Sequence, residues 1–230
     1  MKMLIQANRS LYIFSHTLKY LRLARKVSNI IPLKIQWSED ILDHLNIDVE
    51  VKGRPAVDSS LMFLGNHISY LDIVLMLKTC SGISFVSKKE IAGWPVIGTA
   101  AKRLDTTFIK RESKASRLEA RAEIENALKI EKKRIVLFPS GTTCIKNAKP
   151  WRTGPFEIAK SAGALVQPFR ITYEPLREAA YIDQDNFLSH LMNLSSVQNI
   201  KARIEFASPT MIDDPEKDRD HWQHWASQPF

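Results

Sequence analysis

Cysteine is scarce in this 230-residue sequence, which contains only Cys80 and Cys144 and no Cys-x-x-Cys pair. The scarcity excludes a disulfide scaffold and a cysteine-rich zinc site, and it is typical of proteins from a reducing compartment. Apolar runs are short as well, because Lys, Arg, Ser or Asn interrupts each one before the roughly 18 residues that a spanning helix needs. The start of the chain shows no signal-peptide pattern. We therefore expect neither a transmembrane helix nor secretion.

Acidic residues are absent from the first 38 positions, although seven Lys and Arg residues occur there. Apolar residues recur in this segment at spacings of three and four: Leu4, Ala7, Leu11, Phe14, Leu18 and Leu21. The periodicity predicts an amphipathic helix, and we expect Pro32 to end the segment. A basic amphipathic helix suits the surface of an anionic membrane; the alternative is a helix that packs on its own domain. The chain thus divides into a membrane-docking segment, 1–38, and a domain, 39–230.

The chain carries a net charge of +8, with 44% hydrophobic and 25% charged residues. The proportions are those of a globular domain and exclude a disordered, collagen-like or coiled-coil chain. The positive surplus predicts an anionic partner: a nucleic acid, a membrane surface or a phosphorylated substrate. No nucleic-acid recognition motif is present, and the densest basic segment has an apolar stripe better suited to lipid, so we expect no nucleic-acid partner.

Short apolar strands alternate with helical patterns from about residue 47 onward. Strands are predicted at 47–51, 60–64, 83–86, 107–109, 135–138, 164–173 and 200–206, and helices at 71–77, 113–129 and 155–161. In the second helix, with Ser113 as its N-cap, we expect Leu118, Ala122 and Leu128 to face the core. The alternation predicts an α/β fold in which a mixed sheet is flanked by helices, preceded by the amphipathic segment.

The sharpest local motif reads NHISYLD at 66–72, where an apolar strand ends. His67 can act as a general base if Asp72 accepts a hydrogen bond from one ring nitrogen and leaves the other free to take a proton. Five residues of ideal helix turn by about 500° and would leave the two side chains about 140° apart. The pair therefore meets only if this stretch is a turn that enters a helix. By itself the spacing also fits a capping or packing histidine.

Two further motifs supply groups suited to anions. TFIKR at 107–111 places Lys110 and Arg111 at a strand end, and arginine is well suited to clamping phosphate. The alternative is a basic strand end that faces water. FPSGT at 138–142 ends another strand, so the backbone N–H groups and hydroxyls of Ser140, Gly141 and Thr142 can hold an anion. This motif is neither a Walker loop nor a G-x-S-x-G elbow, and a plain tight turn explains it equally.

In order, an NHxxxxD motif, an FIxR-like motif, an FPxGT motif and an apolar strand containing Pro168 resemble the glycerolipid acyltransferase family. The typical members of that family are 1-acyl-sn-glycerol-3-phosphate acyltransferases. The resemblance spans about residues 60–173. Four motifs in this order are much more specific than any one of them, so we interpret the chain as a member of this family.

The resemblance implies a reaction. An acyl thioester, either acyl-CoA or acyl-carrier protein, would donate its acyl group directly to a lipid hydroxyl that His67 deprotonates, while Asp72 orients the imidazole. No acyl-enzyme, cofactor or metal is implied. The substrate-binding residues suggested by the same motifs are Asn66, Lys110, Arg111, Ser140, Gly141 and Thr142. The acceptor implied first is 1-acyl-sn-glycerol-3-phosphate, which would give phosphatidic acid in phospholipid biosynthesis.

The third motif departs from the family, which usually has Phe-Pro-Glu-Gly-Thr-Arg where this chain has Ser140 and Thr143. Losing a cation removes one charge-assisted contact, typically about 1.5–3 kcal/mol. Lys146 and Arg152 are near enough in sequence to replace it. A lyso-ornithine lipid is therefore an alternative acceptor, and a non-catalytic lipid-binding protein is a further alternative. We expect a peripheral location at the cytoplasmic face of the cell membrane.

Overall fold

The structure is a computed structural model that describes residues 2–58, 60–109, 113–145 and 148–230, and for residues 2–9 and Lys114 only the backbone. Within these ranges the strands form one sheet in the order β1-β7-β6-β2-β5-β3-β4. The strands are β1 (Ile47–Lys52), β2 (Leu61–Gly65), β3 (Ile83–Lys88), β4 (Thr107–Ile109), β5 (Arg134–Leu137), β6 (Leu165–Glu174) and β7 (Ile200–Phe206). Neighbouring strands are parallel, except that β6 and β7 are antiparallel, so the predicted mixed sheet is confirmed.

Helices cover both faces of this sheet. They are α1 (Lys2–Leu23), α2 (Ile31–His44), α3 (Leu71–Thr79), α4 (Ile97–Arg103), α5 (Lys114–Lys129), α6 (Gly154–Ala162), α7 (Leu176–Ala179), α8 (Phe187–Leu194) and α9 (Pro215–Ser227), with a 3₁₀ turn at Lys89–Gly93. The central strand β2 is buried along its whole length. Leu61 and Phe63 belong to a core with α2 and α3, whereas Met62 and Leu64 belong to a core with α5, α6 and α9. Successive side chains of β2 therefore hold the two layers together.

The carboxyl ends of the parallel strands carry the sequence motifs. The NHISYLD motif follows β2, the FPSGT motif follows β5, and Lys110 and Arg111 follow β4. Because β2 and β5 are adjacent and parallel, the first and third motifs meet at one edge of the sheet. Ligands of open α/β sheets bind at this edge.

The prediction for α5 is wrong at two of its three positions. Leu118 and Ala122 are exposed, and only Leu128 is buried. The buried face instead carries Ala120, Ile124, Ala127 and Leu128. Apolar residues repeat at i, i+4 spacing on both faces of α5, so the spacing alone does not identify the buried face. Packing against α6 and β4 buries a different face from the predicted one.

The N-terminal segment forms two helices rather than one. Pro32 lies in the first turn of α2 and does not end the segment, since an early helical position needs no backbone N–H donor. Residue 38 consequently falls inside α2. Of the predicted stripe, Leu11 and Leu18 are exposed, while Thr17 is buried in the face of α1 turned toward the domain. No helix in the described ranges has the length and apolar character needed to cross a membrane.

Candidate active site

Gly65 ends β2 directly before the first motif. A Cβ atom on this residue would lie 2.5 Å from the carbonyl oxygen of Phe169 and 2.5 Å from its ring. Only glycine allows β2 to lie this close to β6. The chain then runs as a loop through Asn66–Ser69 and enters α3 at Leu71.

His67 and Asp72 form the predicted pair. The Nδ1 atom of His67 lies 2.7 Å from Oδ2 of Asp72, which occupies the first turn of α3. The five-residue spacing works because the loop precedes the helix, as the helical geometry requires. The two side chains are 18% and 0% exposed, so the carboxylate is fully removed from water and the imidazole is partly accessible.

The Asp72 carboxylate accepts four hydrogen bonds. Besides His67, the backbone N–H groups of Ile68 and Ser69 donate to Oδ2 at 2.7 and 3.1 Å. The hydroxyl of Tyr173, on β6, donates to Oδ1 at 2.7 Å. These donors replace the water that a buried carboxylate loses.

Aromatic stacking also holds the imidazole of His67 in place. Phe138 lies parallel to the His67 ring, with 3.9 Å between the centroids and 10° between the planes. The carbonyl oxygen of His67 accepts a hydrogen bond from the backbone N–H of Cys144 at 2.8 Å. With Nδ1 donating to Asp72, the lone pair of the neutral imidazole lies on Nε2, which has no hydrogen-bond partner among the described residues. This is the arrangement that a general base requires.

An apolar cavity of about 250 Å³ adjoins His67. Its walls come from α1, α2, α3, β3, α4 and α8, and include Phe14, Trp37, Val74, Phe85, Leu104 and Leu191. His67, Tyr70 and Phe138 lie in the lining. The cavity therefore presents hydrocarbon-compatible walls beside a candidate base.

A second cavity, a groove of about 380 Å³, lies between α5, α6 and the FPSGT turn. Arg117, Arg121 and Arg152 line it together with Glu157. Arg121 forms ion pairs with Glu125 and Glu157, which raises the pKa of its guanidinium above the ordinary value. Phe138 lines both this groove and the apolar cavity, so the two spaces share a wall residue.

Two hydrogen bonds within the FPSGT turn hold its conformation. Gly141 has a φ of 72°, a left-handed conformation that favours glycine, and its N–H donates to the carbonyl oxygen of Phe138. The buried hydroxyl of Ser140 donates to the carbonyl oxygen of Thr142 at 2.7 Å. Gly141 lies in the basic groove, so the turn contributes backbone to that space.

The other predicted site residues differ in their placement. Both amide atoms of Asn66 hydrogen-bond to the backbone of Ile171 at 2.8 Å, so this side chain ties the loop to β6. Lys110 and Arg111 lie outside the described residues, as does Lys146. Arg152 lines the groove, is exposed, and makes no ion pair with any carboxylate that the structure describes. The residues that the structure describes contain no cluster of three or more His, Cys, Asp or Glu side chains suited to a metal.

Sequence reasoning missed Tyr173 and Phe138. Tyr173 lies on β6, the strand that contains Pro168, and its side chain is buried. A buried tyrosine hydroxyl needs a hydrogen-bond partner, so its place in a buried strand indicates such a bond. The sequence does not identify the partner. Phe138 was visible only as part of the FPSGT motif.

Comparisons with known proteins identify the family and the fold of this chain. The family model described as Acyltransferase matches residues 47–172, and the chain therefore belongs to the acyltransferase family. The crystal structure of the 1-acyl-sn-glycerophosphate acyltransferase PlsC from Thermotoga maritima superposes with a TM-score of 0.74 over 99% of this chain and 95% of that chain. At 17% identity this match shows the fold. The resemblance predicted from the four motifs is confirmed.

Two curated relatives carry different acceptor names. The lyso-ornithine lipid O-acyltransferase of Pseudomonas aeruginosa is 32% identical over 180 residues, which cover 75% of this chain and 67% of that protein. The 1-acyl-sn-glycerol-3-phosphate acyltransferase of Neisseria meningitidis is 30% identical over 142 residues, covering 60% and 54%. The matched part thus spans about two thirds or less of these proteins' lengths.

Proposed function

We propose that this protein transfers a fatty acyl group from an acyl thioester to the free hydroxyl of a lyso-lipid. The observation that carries the proposal is the position of His67: Asp72 holds one ring nitrogen at 2.7 Å, and the ring lies in the lining of an apolar cavity. A general base beside a space for hydrocarbon suits a reaction in which both substrates carry acyl chains.

The mechanism follows from the pair. Nε2 of His67 takes the proton of the acceptor hydroxyl, and the resulting oxyanion attacks the thioester carbonyl carbon. A C–O bond forms and the C–S bond breaks, and the leaving thiolate receives the proton from the imidazolium. Asp72 orients the imidazole and stabilises its positive charge between these steps. The products are an ester and a free thiol.

The donor would place its acyl chain in the 250 Å³ cavity, which brings the thioester carbonyl to His67. Acyl-CoA and acyl-carrier protein both present the acyl group on such a thioester, and either fits this placement. The basic groove that shares Phe138 with this cavity would then take a charged part of a substrate.

For the acceptor we propose 1-acyl-sn-glycerol-3-phosphate, giving phosphatidic acid. Arginines in the groove suit its phosphate. A lyso-ornithine lipid is a second candidate, favoured by the replacement of the motif arginine by Thr143 and by the name of the Pseudomonas relative. Ornithine carries a carboxylate, so both acceptors offer an anion to the same groove.

The decisive assay measures release of free thiol from palmitoyl-CoA and from palmitoyl-carrier protein, with each acceptor offered separately. Turnover with 1-acyl-sn-glycerol-3-phosphate supports the first acceptor, and turnover only with the lyso-ornithine lipid keeps the mechanism and replaces the substrate. Silence with every donor and acceptor contradicts the catalytic proposal and favours a lipid-binding protein.

Substitution of Arg152 tests whether the groove binds the acceptor. Because no described carboxylate pairs with Arg152, its guanidinium can bind the acceptor's anion, so we expect Arg152→Ala to raise KM for the acceptor about tenfold with little change in kcat. Arg54→Ala is the matched control, because Arg54 is exposed and lines neither space. Equal KM values for the two variants would remove Arg152 from acceptor binding.

The N-terminal segment supports a peripheral membrane location, at the cytoplasmic face. Leu11 and Leu18 project from α1 with 65% and 40% of their surface exposed, and Leu23 and Val27 follow. Lys19, Arg22, Arg25 and Lys26 are interspersed among them. Exposed apolar side chains beside cations suit an anionic bilayer, where each well-placed cation contributes about 1 kcal/mol.

Vesicle binding tests this location. The double variant Leu11→Ser and Leu18→Ser should lower sedimentation with phosphatidylglycerol-containing vesicles several-fold, because it removes apolar surface without opening the cavity. Ile130→Ser, a similarly exposed apolar residue after α5, is the control. Unchanged sedimentation of the double variant would show that α1 does not dock on lipid.

A further inference from the structure

The two carboxylate oxygens of Asp72 accept different numbers of hydrogen bonds. Oδ2 receives three donors, from His67, Ile68 and Ser69, all within seven residues of chain. Oδ1 has one partner among the described residues, the hydroxyl of Tyr173, which lies 101 positions away in the sequence. That single long-range hydrogen bond gives the second carboxylate oxygen its donor.

The orientation of the carboxylate depends on that bond. A fully buried anionic oxygen without a donor is unfavourable, so a carboxylate lacking the Tyr173 hydroxyl gains by rotating to share the donors of Oδ2. Such a rotation would tilt the imidazole of His67, which stays hydrogen-bonded to Oδ2. With the hydroxyl in place, donors on opposite sides hold the carboxylate plane in one position.

Tyr173 is itself rigidly placed. It is 2% exposed, lies in the core beside the sheet, and pairs in register with Ala202 of β7. Burial, and then the adjacent Asp72 carboxylate, raises the pKa of Tyr173 well above its ordinary value. The hydroxyl therefore stays protonated, and able to donate, at neutral pH.

No other titratable side chain in the described part of the chain donates to Oδ1 of Asp72. The titratable groups around Tyr173 are Asp72, His67 and Tyr70. The Tyr70 hydroxyl hydrogen-bonds to Nδ1 of His190 at 3.0 Å, while Nε2 of His190 faces the carbonyl oxygen of Ala180. Tyr70 is therefore engaged elsewhere.

We propose that Tyr173 is a positioning residue for acyl transfer, whose hydroxyl fixes the carboxylate plane of Asp72 and thereby the orientation of the His67 imidazole. The inference rests on the proposed function, because the pair that Tyr173 orients is the one assigned to catalysis. The residue touches neither substrate nor reacting atoms, so its effect passes through Asp72.

Tyr173→Phe deletes only the hydroxyl and retains the ring in the core. We expect kcat to fall about tenfold, with KM for donor and acceptor within about twofold, because the orientation of the base changes and the substrate surfaces do not. Without the hydroxyl, the carboxylate and imidazole together bind a proton more tightly. The acid limb of the pH–kcat profile should therefore move to higher pH.

Tyr20→Phe is the matched control. Its hydroxyl donates to another carboxylate, Asp40, at 2.9 Å, and it contacts neither His67 nor Asp72. We expect this variant to leave the acid limb in place. An unchanged kcat and acid limb in Tyr173→Phe would overturn the inference.

A readout without turnover separates this inference from the proposed function. The ring-proton resonance of His67, assigned by its loss in His67→Gln, should titrate at higher pH in Tyr173→Phe than in the parent protein. Coincident titrations would overturn the positioning role even if no acyl transfer were detected. Should Tyr173→Phe fail to fold, uniform 3-fluorotyrosine substitution supplies a stronger donor and should move the titration to lower pH; no movement would again overturn the inference.

Discussion

Among the described residues, two histidine–aspartate pairs have nearly the same contact distance. Nε2 of His16 lies 2.6 Å from Asp40 between α1 and α2, and Nδ1 of His67 lies 2.7 Å from Asp72 at the carboxyl edge of the sheet. A tyrosine hydroxyl donates to each carboxylate, Tyr20 at 2.9 Å and Tyr173 at 2.7 Å. Contact distance alone does not distinguish a structural pair from a catalytic one.

The surroundings make the difference. Asp40 is 26% exposed and binds side chains from two helices, so the pair fastens α1 to α2. The imidazole of His16 stacks on Tyr12 and lines neither the apolar cavity nor the basic groove. Asp72 is fully buried, and His67 adjoins a cavity of about 250 Å³. A dehydrated carboxylate and space for a substrate define the candidate base.

The largest expected effect comes from removing each imidazole. His67→Ala should lower acyl transfer by roughly 10²- to 10⁴-fold, because it removes the proposed general base. His16→Ala should retain most of the activity on a detergent-dispersed acceptor and instead lower the midpoint of thermal unfolding. Similar losses of activity in both variants, measured on equally folded protein, would erase the distinction between the pairs.

A smaller effect is expected from neutralising each carboxylate. Asp72→Asn preserves the shape but removes the charge that stabilises the imidazolium, so kcat should fall by roughly 10²-fold or more. Asp40→Asn should leave kcat within about twofold and lower the unfolding midpoint by a few degrees, because the pair is partly hydrated. Initial rates and thermal scans on the same preparations decide between these outcomes.

The smallest effect is a local acid transition at the α1–α2 contact. Burial alone would raise the pKa of Asp40, but hydrogen bonds from Gln36, His16 and Tyr20 outweigh it and hold the pKa below the ordinary value of 3.8. Since the folded value is the lower one, the carboxylate stabilises the contact above pH 3.8, and this stabilisation is lost as the pH falls through the folded value.

Trp37 reports on that contact, because its indole N–H donates to the hydroxyl of Thr17 on α1 at 3.1 Å. We expect a change of tryptophan fluorescence below pH 3.8 that Asp40→Asn abolishes. A transition that persists in Asp40→Asn would assign it to another carboxylate.

Contacts between neighbours in sequence were the predictable part of this molecule. The His67–Asp72 pair followed from a five-residue spacing at the start of a helix, and the Ser113 cap accepts its hydrogen bond from Ser116 as the motif indicates. The errors arose where several local patterns were equally satisfied. Pro32 suits either the end of one helix or the start of another, and α5 has apolar residues on two faces.

From the sequence alone, the alternation of strands and helices predicts the mixed α/β fold, and the four ordered motifs carry the resemblance to the family, which implies His67 as the base. Tertiary structure alone decided that Tyr173 completes Asp72, that Phe138 supports His67, and that α1 walls the apolar cavity. The physical reason is strand order. Placing β2 between β5 and β6 brings distant residues to one edge, and that order results from burying both faces of the sheet at once, which no local segment encodes.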